Sequence, residues 1–452
     1  MISKFGDLRL DQRLDKIMEA LRDIPRANLP QVLTSWSKLK AGYRFLNNKR
    51  VTHEGILESE SEATLARLAT EAGDIVLAVQ DTTAFNFAGR AALSGLGVLD
   101  DNKTPGFFAH TTLAVSEQGV PLGLFGQQVW SRSQTPADEP DNHRGKPISE
   151  KESMKWLNGL PPAVVAGKRV VTVGDRESDV YELFQVAYEN DQDFIVRSAQ
   201  NRRLDAAPRL YDQLRELAPA ATYSLTVQRQ VNQHEREARV ELRYTTVTLL
   251  PPPRPGASQV VPLQARQVQV VEVREIDHPP TLKDPIHWIL LTTLPVDSLA
   301  DAYRIVRYYT YRWLVERFHF VLKSGGCDFE ASQLRTVEAL HRLLALCSRI
   351  AWRLLWLTYQ ARQTPDAPAT VALTEPEWQA LTAFTSPDHK PAIVPPTLAQ
   401  AVRLIASLGG FIGRTSDGDP GVKTLWRGWQ RFQDIVDAWT FFHPPPRDVG
   451  NV

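Results

Sequence analysis

The chain is 452 residues long and 43% apolar, with 52 basic side chains against 52 acidic ones. That length and composition specify a soluble globular protein whose core spreads over about two to four structural units, and the neutral balance leaves only the distribution of charge to speak for or against nucleic acid. No apolar run approaches the roughly 18 residues of a membrane span, the first residues lack the apolar stretch of a secretory signal, and two cysteines are too few for a zinc site or a disulfide framework, so a cytoplasmic protein with Cys327 and Cys347 buried as thiols is expected.

Residues 1–72 alternate helical patterns with short breaks: "RLDQRLDKIMEALRD", "LPQVLTSWSKLKAGYRFLNN" and "THEGILESESEATLARLATEA", the last with Thr52 as N-cap. Between residues 24 and 50 stand Arg26, Lys38, Lys40, Arg44, Lys49 and Arg50 without one acid, a stretch suited to tracking phosphates. From Asp74 the pattern becomes that of a buried strand, "DIVLAVQD", closing on Asp81. "HTTLAVSEQGVPLGLFGQQVW" then reads as a hairpin, "TPADEPDNHRGKP" as a polar loop and "ISEKESMKWLNGL" as a helix. "GKRVVTVGD" is a second buried strand closing on Asp175, "DVYELFQVAYEND" a helix and "DFIVRSAQ" a further strand.

Residues 201–285 differ in character: alternating runs separated by "PPPRPGAS" predict an all-β insertion, after which "HWILLTTLPV" returns to the main sheet or ends the insertion. Ser298 opens a long amphipathic helix running to Gly325. At about 100° per residue, Tyr309, Arg312, Glu316 and Lys323 fall within roughly 60° of arc on one face, while Leu314, Phe318 and Val321 take the opposite one. Arg304 and Arg307 add further cations among aromatics nearby. The chain beyond Ala331 is mostly helical and carries no candidate catalytic group.

Three acids stand out by position: Asp81 and Asp175 closing strands, and Glu316 on the helix. Any one alone reads as a turn former or cap. Together, two carboxylates at adjacent strand ends and a third from a helix packed across them suit two Mg²⁺ ions and in-line attack on a phosphodiester.

The acids and the Y-x₂-R-x₃-E-x₆-K face, together with "GDLRLDQRL", "AGYRFLNN", "VQDTTAFNF", "EKESMKW", "VGDRESDVYELF", "FIVRSAQ", "HWILLTT", "YTYRWLVERFH" and "PGVKTLWRGWQR", resemble the DDE transposases of bacterial insertion sequences of the cut-and-paste group. The resemblance implies an α/β fold: a ribonuclease H-like mixed-sheet core over 73–330 with the β-rich insertion, a helical DNA-end-binding unit over 1–72 and a helical dimerisation unit over 331–452. It implies Asp81, Asp175 and Glu316 as ligands of two Mg²⁺ ions, with Mn²⁺ as a substitute. Tyr309, Arg312 and Lys323 would grip the phosphates of the transposon end, Arg through its two-pronged fork and Lys as a mobile charge. Trp288 would stack on a base flipped out near the cut, with Trp313 beside it as a stacking or core residue. Arg197 and Arg176 would touch DNA or orient a carboxylate, and Lys40, Tyr43 and Arg44 would bind the terminal inverted repeat. His110 and His319 are expected to be packed or solvated histidines. The implied partners are DNA, both terminal repeat and target, and a second copy of the chain; no membrane is implied. Members of the family carry a further helix before the Gly-Asp-x-Arg segment, where only five residues precede Gly6. A relative that represses transposition by binding DNA or by dimerising is therefore the alternative, and a structure-selective nuclease on the same fold is a weaker third.

Overall fold

A computed structural model describes residues 4–23, 28–90, 93–134, 146–206, 209–227, 236–253, 263–414 and 417–444. The polar loop at 135–145, most of the Pro-rich linker after Pro253, and Arg26 lie outside the described residues.

The N-terminal helices form where their apolar spacing predicts. Helix α1 (Leu8–Asp23) buries Leu14, Ile17 and Leu21, one turn apart. The second expected helix divides into α2 (Leu29–Val32) and α3 (Trp36–Leu46), because Ser35 takes extended backbone and its hydroxyl accepts the Lys38 N–H, starting a new helix. Thr52 caps α4 (His53–Thr70) through the Gly55 N–H, as expected.

Strands β1 (Ile75–Asn86), β2 (Gly97–Val98), β3 (Pro105–Ser116), β4 (Pro121–Trp130), β5 (Val164–Val165), β6 (Lys168–Gly174), β7 (Asp193–Arg197), β8 (Ala221–Val227), β9 (Arg236–Leu249), β10 (Arg266–Glu275) and β11 (His287–Thr292) make one mixed sheet. Its order is β2-β3-β1-β6-β7-β11-β10-β9-β8, with β4 on β3 and β5 on β6. The β3–β4 hairpin turns at Gly119, whose φ of +84° explains why glycine stands there.

Some sequence expectations need correction here. Asp81 does not close β1: antiparallel pairing with β3 carries the strand on to Asn86, while the parallel partner β6 stops pairing at Val173, opposite Val79. The segment around "EKESMKW" supplies only a five-residue helix, α5 (Met154–Asn158), since Gly159 and the prolines behind it stop propagation. Helix α6 (Tyr181–Glu189) links β6 to β7. Residues 201–285 are not all β. After a short helix, α7 (Leu210–Arg215), strands β8, β9 and β10 pair in turn and join the main sheet through β11, which lies between β10 and β7.

The helix expected from Ser298 to Gly325 is segmented. A reciprocal Ser298–Asp301 capping box starts α8 (Leu299–Thr310), a turn at Tyr311 and Arg312 precedes α9 (Trp313–Phe320), and a wider π turn over Val321–Gly325 ends it. Leu314, Phe318 and Val321 are buried, as their spacing predicts.

Four helices follow: α10 (Val337–Gln363), α11 (Glu375–Thr385), α12 (Leu398–Leu408) and α13 (Val422–Phe442). Helix α10 contributes Leu343, Leu344 and Leu346 to the same core as the sheet strands, and α12 meets α13 at Gly428, where any Cβ would lie 1.8 Å from the Ile405 carbonyl oxygen. Both cysteines are buried free thiols, as expected. No helix among the described residues is long and apolar enough to cross a membrane.

Candidate active site

The parallel pairing of β1 and β6 sets Val79 opposite Val173, so two residues further on Asp81, still within β1, and Asp175, just past the end of β6, lie on neighbouring strand tracks. Helix α9 packs across β1 and β3 and brings Glu316 in its first turn. The Asp81 carboxyl is pushed up to about 7, first by burial and then by the negative charges of Asp175 and Glu316, against the opposing pull of Arg312 and of the Thr82 N–H that it accepts at 2.8 Å.

Each carboxylate is also held locally. Asp175 caps a turn over Arg176–Ser178, its Oδ1 accepting the Glu177 N–H at 2.8 Å, and Glu316 Oε1 receives Arg312 Nη1 at 2.6 Å. Among the described residues no group of three or more His, Cys, Asp or Glu stands close enough to hold a metal ion.

The polar face of the helix is largely covered. Tyr309 is 3% exposed and the Arg312 side chain 11%. Burial alone would lower the Arg312 pKa, but Tyr309, Glu316 and Asp81 outweigh it and keep the guanidinium charged. The ring of Trp313 lies 4.9 Å from Arg312, and Trp288 meets Tyr309 edge to face with centroids 5.1 Å apart. Arg197 reaches the Tyr309 hydroxyl and donates to the His287 carbonyl at 3.0 Å. Arg197, Trp288, Arg312 and Trp313 line one cavity of about 710 Å³, which β8 and Tyr359 and Arg362 of α10 also line.

The remaining predicted residues lie elsewhere. Lys323 sits in the π turn over the Phe85 ring near the end of β1, at 5.5 Å, its pKa lowered by burial against the attraction of Glu330. Arg176 is exposed on its turn. Lys40 and Arg44 are exposed on α3 with Tyr43 half-buried beside them, in the helical unit that packs on α10.

A buried polar chain escaped the sequence reading. His319 shares a hydrogen bond with Thr111, which stands opposite Asp81 in β3; Gln127 donates to Thr111 at 3.0 Å and is itself bonded to His53. It ties α9 to the strands behind the acids. His110 lies between Gln80 and Thr82, 2.9 Å from each, on the two residues that flank Asp81. Burial pushes both His110 and His319 down to about 3, so each is neutral. The signal was present in "FFAHTTLAV", where His-Thr-Thr interrupts an apolar strand.

Comparison with known proteins gives three matches along the chain: a transposase DNA-binding family over residues 2–51, a transposase DDE domain over 124–353, about half of the chain, and the transposase Tn5 dimerisation domain over 349–443. The DDE match includes Asp175 and Glu316 and begins after Asp81. A solved piggyBac transposase synaptic complex with hairpin DNA is similar at 10% identity with a TM-score of 0.35; the alignment covers 83% of this chain and 55% of that one, so the chain spans about half of that protein's length.

Proposed function

The chain belongs to the transposases with a DDE domain, and from that premise we propose that it binds the terminal inverted repeats of an insertion sequence, cleaves the ends and transfers the 3′ ends to target DNA. The observation that carries the proposal is the placement of Asp81 and Asp175 on paired strand tracks with Glu316 on the helix packed across them, Arg312 joining Glu316 to a cationic, aromatic-lined cleft. Carboxylates gathered where two strands and a helix meet fit hard divalent cations, whose ligands are oxygens. Asp81, Asp175 and Glu316 would hold two such ions, Mg²⁺ or Mn²⁺, which when bound supply Lewis-acid activation of the attacking oxygen and charge stabilisation of the leaving one.

The remaining chemistry belongs to side chains. Arg312 pairs with Glu316 in this structure and, as DNA enters, its fork is suited to hold a phosphate bidentately. Trp288, braced edge-on by Tyr309, offers a ring face to a base drawn out of the stack. Lys323 and Arg197 add positive charge along the strand's path. Joining two ends calls for two active sites, which a homodimer on DNA provides, with the helices after Ala331 supplying the contact. Such a protein would work in the bacterial cytoplasm, where its DNA is.

Purified variants on a labelled end fragment test the assignment. Glu316→Ala is expected to retain end binding and lose cleavage even at high Mg²⁺. Lys323→Ala weakens binding, with a salt slope smaller by about one, and keeps cleavage at saturating protein. Trp288→Ala preserves nicking better than completion of the double-strand break. Full cleavage by Glu316→Ala would overturn the reading.

A further inference from the structure

Among the described residues one tryptophan is left exposed: Trp36, 77% accessible, in the first turn of α3. A single exposed aromatic is unremarkable by itself. Its setting is specific. At about 100° per residue, Trp36, Lys40 and Arg44 fall within roughly 80° of arc, on the face opposite the buried Gly42, Phe45 and Leu46. From Trp36 to Arg44 this face runs about 12 Å at ~1.5 Å per residue, close to the roughly 12 Å width of a DNA major groove. Lys38 is exposed beside it, and no acid occurs between residues 24 and 50. A face that is cationic throughout favours a polyanion over a second copy of this neutral chain as the cover for the ring.

We propose that Trp36 is a specificity-determining contact to duplex DNA: its ring packs against the methyl-bearing edge of a thymine in the major groove while Lys40 and Arg44 hold the flanking phosphates. The contact rests on the reading that the chain binds transposon ends. It gives the N-terminal helices a means of reading sequence, which phosphate contacts alone do not provide.

The test uses the full chain and a randomised duplex library. The wild type is expected to enrich a motif, and Trp36→Ala to lose enrichment at one thymine-containing position. On the enriched duplex Trp36→Ala should bind about tenfold more weakly with an unchanged salt slope, and should bind a scrambled duplex as the wild type does. Replacing thymine by uracil in the enriched duplex should cost the wild type a similar factor and the variant nothing. Lys40→Ala should instead weaken both duplexes and lower the slope by about one. Thermal melting of each variant reports folding, which loss of an exposed ring leaves intact. The proposal is overturned if Trp36→Ala enriches the same motif with wild-type affinity, weakens both duplexes equally, or changes the sedimentation of the free protein, which would place Trp36 against a second copy. If the wild type enriches nothing, the end-binding reading itself fails and this contact fails with it.

Discussion

The two halves of the sheet treat charge differently. In the outer half most acids are matched by a cation: Arg236 with Glu275, Arg243 with Glu272 on the next strand and with Glu241 on its own, His287 with Glu272, and Arg239 with Asp277. In the inner half Arg169 and Asp193 pair across β6 and β7, but Asp81, opposite the buried strand β3, has among the described residues no cation in ion-pair contact and a carboxyl raised to about 7. Paired charges shape the extension. The unpaired one sits where chemistry is proposed, which is how a site that must capture cations differs from a scaffold that must not.

Removing the unmatched charge tests this contrast most severely. Asp81→Asn is expected to lower end cleavage by about three orders of magnitude or more, while raising the melting temperature, because burial and two neighbouring acids oppose the native carboxylate. A variant that melts lower than the wild type would count against it. Next is the pair at the border of the halves, four residues beyond Asp175. Asp179 holds the Ala199 and Gln200 N–H groups and the buried Arg202 guanidinium, so Asp179→Ala leaves that cation alone and should cost about 3–5 kcal/mol in denaturant unfolding.

A smaller effect follows from the neutral histidines of the inner half. His110 and His319 have folded pKa values depressed to about 3, below their ordinary 6.5. Between those limits the unfolded chain binds the extra protons, so the stabilisation is present above pH 6.5 and drains away as pH falls toward 3, at about 1.4 kcal/mol per pH unit for each histidine. His319→Gln should flatten the pH dependence of unfolding by one such slope; an unchanged profile would mean that the ring is already protonated in the fold. Smallest of all is the outer pair Arg239–Asp277, whose side chains are 64% and 66% exposed. Arg239→Ala should shift stability by less than about 1 kcal/mol and leave cleavage untouched.

What the sequence disclosed divides along the same line. Strands β1, β6 and β7 were legible because each is an apolar run bounded by polar residues; Asp81 and Asp175 stood out where two apolar runs give way to polar residues, and Glu316 on the polar face of its helix. The end of β1 was misplaced, because the length of a strand depends on its partner, and β3 lies about thirty residues away in sequence. Fusion of the β-rich segment with the main sheet was legible only as one of two readings of "HWILLTTLPV", because the β11–β7 pairing joins Leu290 to Arg197 and nothing local records it. The break in the Ser298–Gly325 helix was hidden because Tyr311 and Arg312 keep helical backbone angles through the turn. Helix α11 had a readable start in the Thr374–Glu377 capping box, with Pro376 in the first turn, but its short apolar face was passed over.

The unbroken sheet also works as a measuring device. Strands β1, β6, β7 and β11 are consecutive neighbours, so three spacings of ~4.8 Å separate the strand bearing Asp81 from the one bearing Trp288, about 14 Å fixed by backbone hydrogen bonds. At a rise of ~3.4 Å per nucleotide that distance corresponds to a few nucleotides of DNA. On the proposed roles, the offset between the cut and the displaced base is therefore gauged by the ladder itself, and insertions in the surrounding loops would leave the gauge unchanged.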